Sequence, residues 1–202
     1  MKIYEARVAP NPRRVRIFLA EKGIDMQYVE LDIMGGENLS PALRAKNPTT
    51  KVPFLELDDG TCIGESIAIC RYFEELQPEP PLFGRTPLEK ARVEMWNRQV
   101  ELFFIQPLMF AVQHGGGIFK DRMTPVPVWG EESAKNARAY LDQLDQHLTN
   151  SSYLVGDYFS VADISLLCAV DFARVAKIRL SDEWPHLQLW HQLVSARPSA
   201  TA

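Results

Sequence analysis

KVPFLELDDGTCIGES, residues 51–66, is the stretch on which the fold turns. Two β-rich runs flank Asp59-Gly60, the residue pair of a tight hairpin turn. The run ends at Ser66, where SIAICRYFEEL reads as a helix with Ile69, Cys70, Phe73 and Leu76 on one side. Upstream, KIYEARV is a short β-forming run. PRRVRIFLAEKG then reads as a helix, with Val15, Phe18, Leu19 and Lys22 on one face. Asn11 is predicted as its N-cap, Pro12 as its first residue and Gly23 as its stop. MQYVELDI is a second strand, and SPALRAKN a short helix capped by Ser40. The order β-α-β-α-β-β-α predicts a small mixed sheet carrying helices.

Beyond this point the pattern changes. QPEPPLFGRTP, residues 77–87, holds four prolines and a glycine and reads as a linker. Helical periodicity follows. Thr86 and Glu89 form a capping-box pair around Pro87. The helix they open carries Val93, Trp96, Val100, Phe103 and Phe104, and Pro107 is expected to kink or end it. HGGGIFKDRMTPVPVWG reads as an irregular loop, and EESAKNARAYLDQLDQHL as an amphipathic helix through Ala137, Leu141, Leu144 and Leu148. Ser160 and Asp163 make a second capping box, before a nearly apolar stretch expected to be a buried central helix. WPHLQLWHQLVSARPS supplies a last helix. The expected division is a first domain at 1–78, a linker at 79–87 and an all-helical domain at 88–202.

Charge and cysteine usage narrow the function. The formal net charge of −4 gives no electrostatic pull toward nucleic acid or an anionic membrane surface. No run is apolar enough to span a bilayer and the N-terminus shows no signal-peptide pattern. Cys62, Cys70 and Cys168 sit singly among apolar residues, so neither a disulfide framework nor a metal site is indicated. A reducing, cytoplasmic setting is expected.

Three stretches, KVPFLELDDG, GESIAICRYFEE and YLVGDYFSVADISL, closely resemble the cytosolic glutathione transferases. The order and spacing of these motifs cover essentially the whole chain. The resemblance implies an N-terminal thioredoxin-like domain, α/β in class, followed by an all-α C-terminal domain. It implies glutathione as co-substrate, a small hydrophobic electrophile as acceptor, a detoxification role and a homodimer. It further implies a cis Val52-Pro53 bond that offers a main-chain edge to the tripeptide. Ser66 would hold the γ-glutamyl carboxylate at a helix start, and Glu65 the ammonium. Asn38 and Lys51 would lie near the glycyl carboxylate.

The family's catalytic Tyr, Ser or Cys lies in the first strand-to-helix turn. Here that turn reads VAPNPRRVRIF, residues 8–18, with none of the three. Ala9 or Pro10 stands at the usual Ser position and Asn11 at the Cys position. A thiol at this helix start still meets unpaired N–H groups and the positive dipole end. Asn11 could donate to the thiolate through its side-chain amide, and Arg13 or Arg14 could add charge. His114, before a glycine triplet, is the second catalytic candidate, acting on the sulfur through a water. Tyr4 is a weaker substitute, placed mid-strand. Val8, Phe104, Met109, His114 and Phe119 are expected to line the acceptor pocket. The expected activity is transfer of glutathione to an electrophilic carbon. A non-catalytic binding protein of the same fold is the alternative. A disulfide-reducing enzyme ranks last, because the cysteine it needs is replaced by Asn11.

Overall fold

A computed structural model describes all 202 residues. They form two compact units, Met1–Pro81 with Pro198–Ala202, and Leu82–Arg197. The last five residues therefore pack with the first unit, although the sequence groups them with the helical part.

The first unit holds β1 (Lys2–Glu5), α1 (Pro10–Lys22), β2 (Gln27–Glu30), α2 (Pro41–Lys46), β3 (Phe54–Glu56), β4 (Cys62–Ile63) and α3 (Ser66–Leu76). The sheet order is β2-β1-β3-β4. β1 and β2 run parallel, joined through α1, while β1–β3 and β3–β4 are antiparallel. This is the thioredoxin-like plan expected from the sequence. Alternation along the strands sets its two faces. Tyr4 and Phe54 are paired across β1 and β3 and pack with Leu31 and Leu43. Ile3 and Leu55 point the opposite way and are wholly buried, on the face where α3 meets β3.

The start of α1 differs from the expectation. Ala9 is its N-cap and Pro10 its first residue, so Asn11 is the second helical residue and not the cap. A proline fits the first position in either register, and extended Ala9 needs no side-chain cap to precede it.

The second unit is helical: α4 (Pro87–Gln99), α5 (Gln106–Phe110), α6 (Pro127–Leu148), α7 (Val161–Phe172) and α8 (Pro185–Ser195). The Thr86–Glu89 capping box opens α4 as expected. Pro107 does not end the helix. Wide π-turns at Val100–Ile105 and Ala111–Gly115 bracket α5 and carry the chain through. Pro107 falls in the first turn after one of them, where a missing N–H costs least. α6 begins earlier than its periodicity suggests, at Pro127. Gly130 permits this: a Cβ there would lie 2.5 Å from the Gly115 nitrogen, so only glycine allows the approach.

α7 is buried along nearly its whole length; its N-cap is Ser160, and the capping-box partner Asp163 at the third helical position is fully buried. Asp163 Oδ1 accepts from the Leu154 N–H and Trp190 Nε1–H, and Oδ2 from the Ser160 N–H and hydroxyl. Burial pushes its carboxyl up, and these bonds pull the other way. Asp163→Ala orphans four buried donors and is expected to cost about 3–5 kcal/mol. Thermal denaturation should then show a fall of roughly 8–15 °C. A melting point unchanged to within about a degree contradicts this role.

Candidate functional site

Within the first unit, the sequence-selected residues gather where β3, α3 and α1 begin. The Val52-Pro53 bond is cis, as expected. Val52 is half-buried, and neither its N–H nor its C=O is hydrogen-bonded within the chain. An unpaired peptide group beside a strand is a ready partner for an added extended segment.

Two buried asparagines hold this peptide group in place. Asn38 Nδ2 donates to the Thr50 carbonyl at 2.7 Å, and Asn47 Nδ2 to the Lys51 carbonyl at 2.8 Å. Thr50 has φ 56°, an unfavourable conformation for a β-branched residue, which the Asn38 bond helps to hold. Asn38 thus braces the loop through its amide. Lys51 is exposed beside it. Asn47 also lies 3.6 Å from where a Gly64 Cβ would sit, which links the Val52 loop to the start of α3. Sequence reading treats Asn47 only as the end of a helix. Its signal was present as an Asn-Pro pair before the loop, but an Asn near a turn has many commoner uses.

Glu65 caps α3 with φ 61° and ψ 119° and keeps its side chain exposed. Such a backbone outlier on a non-glycine residue is a feature that concentrates at functional sites. The N–H groups of Ser66, Ile67 and Ala68 find no acceptor in the chain, so the α3 N-terminus is open to an anion. Ser66 does not cap its own helix. Its Oγ accepts instead from Arg14 Nη1 at 2.8 Å, within the protein interior. The arginines of the opening motif are therefore committed: Arg13 to the Ala200 carbonyl, Arg14 to Ser66, and Arg16 to buried Glu5 at 2.5 Å. Arg14 is 3% exposed, because α1 turns it inward toward the start of α3.

One helical turn from Arg14 lies Asn11. Pro10 and Pro12 have no N–H, and the Arg13 N–H reaches the Ala9 carbonyl at 3.3 Å. The first turn thus presents a single unused main-chain donor, the Asn11 N–H. Its half-buried side-chain amide is likewise without a partner in the chain.

Tyr4 is excluded as the thiol-activating hydroxyl. Its ring stacks on Phe54 at 4.3 Å, and its hydroxyl donates to Glu56 Oε2 at 2.7 Å. Lys46 Nζ bonds both Tyr4 and Glu56. In the helical unit, His114 Nδ1 accepts from the Val126 N–H at 3.1 Å. The neutral ring therefore carries its proton on Nε2, as a donor rather than a base. Phe104, expected in the acceptor pocket, is wholly buried in the core of its unit, whereas Val8 is 91% exposed.

Known proteins place this arrangement. Residues 3–81 match the glutathione S-transferase N-terminal domain model and residues 130–198 the C-terminal domain model. Glutathione S-transferase 2 of Saccharomyces cerevisiae is 36% identical, over 98% of this chain and 87% of that protein. The chain belongs to the glutathione S-transferase family. A glutathione S-transferase domain-containing protein of Marinobacter aquaeolei superposes with a TM-score of 0.94 at 39% identity, over 98% of this chain and 99% of the other. The crystal structure of Gtt2 from Saccharomyces cerevisiae superposes with a TM-score of 0.95 at 36% identity, covering 100% and 99%. In this family member, then, the open peptide group and the two helix starts lie in the domain that the family model names N-terminal.

The Tyr4 cluster has a pH signature of its own. Hydrogen bonds from Lys46 and Tyr4 hold the Glu56 carboxyl at about 2, below its ordinary 4.5. A depressed carboxyl stabilises the fold above the ordinary value and loses that contribution as pH falls toward the depressed one. Between about pH 5 and pH 2, the urea midpoint should therefore fall more steeply for the wild type than for Glu56→Gln. Parallel midpoints across that range contradict the coupling.

Proposed function

We propose that the protein binds glutathione along Val52 and ionises its thiol at the start of α1 for attack on a small apolar electrophile. The observation that carries this reading is the unpaired Val52 peptide group beside an α3 N-terminus whose first N–H groups are unused. Glutathione is an extended tripeptide with one carboxylate at each end. Its cysteinyl N–H and C=O pair with Val52 as an added strand. Its γ-glutamyl carboxylate takes the Ser66, Ile67 and Ala68 N–H groups, and Glu65 faces the ammonium. Lys51 serves the glycyl carboxylate, and Asn38 acts from behind through Thr50.

The sulfur then lies at the α1 N-terminus. A free thiol ionises near ~8.5, and a helix start with donors lowers that value. The Asn11 N–H and side-chain amide are the donors at hand. The thiolate attacks the electrophilic carbon and a C–S bond forms. For an aryl halide the carbon–halogen bond then breaks and halide leaves with its electron pair, the thiol proton having passed to water. A homodimer is part of the proposal. Leu88, Met95 and Leu102, spaced by seven along the helix that begins at Pro87, are all exposed and offer one apolar face.

One observation favours the second reading, a glutathione-binding protein with little turnover. Two prolines in the first turn of α1 leave one main-chain donor where a helix start ordinarily offers several.

Ultraviolet titration of bound glutathione, paired with an aryl-halide assay, separates the two. The enzyme reading predicts a bound-thiol pKa at least about one unit below that of free glutathione. Asn11→Ala, which keeps the N–H, should forfeit part of that shift. Asn11→Pro, which removes both donors in a turn that tolerates proline, should forfeit most of it. His114→Ala tests the helical unit's candidate by the same assay. A bound-thiol pKa equal to that of free glutathione, with no rate above background, leaves the binding reading.

A further inference from the structure

Ser66 is buried, at 5% exposure, yet no group of the chain accepts its hydroxyl proton. A serine hydroxyl has one proton to give and room to accept. Arg14 occupies an acceptor position, at 2.8 Å, from a side chain only 3% exposed. A guanidinium is always charged and has no lone pair to offer in return. The hydroxyl proton therefore has to point away from Arg14. Ser66 is the first residue of α3, where the N–H groups of Ser66, Ile67 and Ala68 are also unspent. Four unspent donors thus sit together at the start of α3, and a fixed positive charge is bonded to the serine oxygen.

We propose that Arg14 is the positioning residue of this subsite: it makes Ser66 an obligate donor and so sets selectivity for a ligand with a carboxylate on its γ-glutamyl end. This deepens the glutathione reading and rests on it. Arg14 itself lies below the serine and touches no ligand. Its removal frees the Ser66 hydroxyl to turn its proton inward, and its oxygen then meets the carboxylate as a repelling lone pair. Arginine is required by the same logic, because a lysine ammonium is a compact charge without the planar fork that reaches Ser66 from the α1 position.

The test compares reduced glutathione with its 4-aminobutyryl analogue, which lacks only the α-carboxylate. Calorimetric binding is measured for the wild type, Arg14→Gln, Arg14→Lys, Ser66→Ala and Arg14→Gln/Ser66→Ala. The wild type should prefer glutathione by about 100-fold or more, and Arg14→Gln should reduce that preference to about tenfold or less, the scale of a lost charge-assisted contact. Affinity for the analogue should stay unchanged, which general loosening of the fold would not produce. In the aryl-halide assay, KM for glutathione should rise while kcat at saturation stays within about threefold. Arg14→Gln/Ser66→Ala should be no worse than the weaker-binding single variant, because the two residues act as one device. Should Arg14→Gln fail to fold, Arg14→Lys keeps the charge and is still expected to lose about fivefold of the preference. Full preference retained in both Arg14 variants, or losses that multiply in the double variant, overturns the proposal while leaving the glutathione reading intact. A wild type that binds neither ligand overturns both.

Discussion

A peptide group left unpaired by its own fold is the constraint on which this site depends. Val52 follows two residues whose carbonyls are each taken by a buried asparagine, and it precedes Pro53, which has no N–H to give. The peptide is therefore rigid and exposed on its polar edge. An unsatisfied main-chain pair is costly where water is scarce, so such a group persists only when its surroundings over-determine it. Asn38 and Asn47 supply that determination, and Thr50 carries the backbone strain. A ligand with a matching N–H and C=O completes the sheet edge.

Two helices must then be held in register against that edge. α1 and α3 are tied at both ends. At the start, Arg14 reaches Ser66. At the far end, Lys22 pairs with Glu74 at 2.6 Å and donates to the Gln77 and Pro80 carbonyls, with its side chain fully buried. Buried ion pairs are weak sources of net stability but strong penalties when broken. Their effect here is geometric, since α1 cannot slide along α3 without orphaning a buried charge. The two helix starts are thereby fixed relative to each other.

Much of this was legible in the sequence where a period or a turn carried the information. The Asp59-Gly60 turn, the β-α-β-α-β-β-α order and the Ser160–Asp163 capping box follow from local chemistry, and the structure contains them. Glu65 and Ser66 were recognisable through resemblance, but the direction of the Ser66 hydroxyl was not, because Arg14 lies 52 residues away. Asn11 looked like a cap because asparagine is a good one, and a proline on either side of it suits two registers equally. Gly130 acts through a close tertiary approach that no local pattern announces, and Asn47 through a loop bond that its Asn-Pro pair signals only weakly. Pro107 reads in sequence as a kink or a stop, and the wide turns on either side of it, which carry the chain through, are a tertiary adjustment.

Main-chain donors carry the proposed site, and backbone amide resonances report on them directly. Titrating the isotope-labelled protein with reduced glutathione should shift the Val52 amide proton strongly, with Ser66, Ile67 and Ala68 following. The Asn11 amide shift should then track the ionisation of the bound thiol as pH is varied. Saturable glutathione binding that leaves the Val52 and Asn11 amides unmoved would contradict the account.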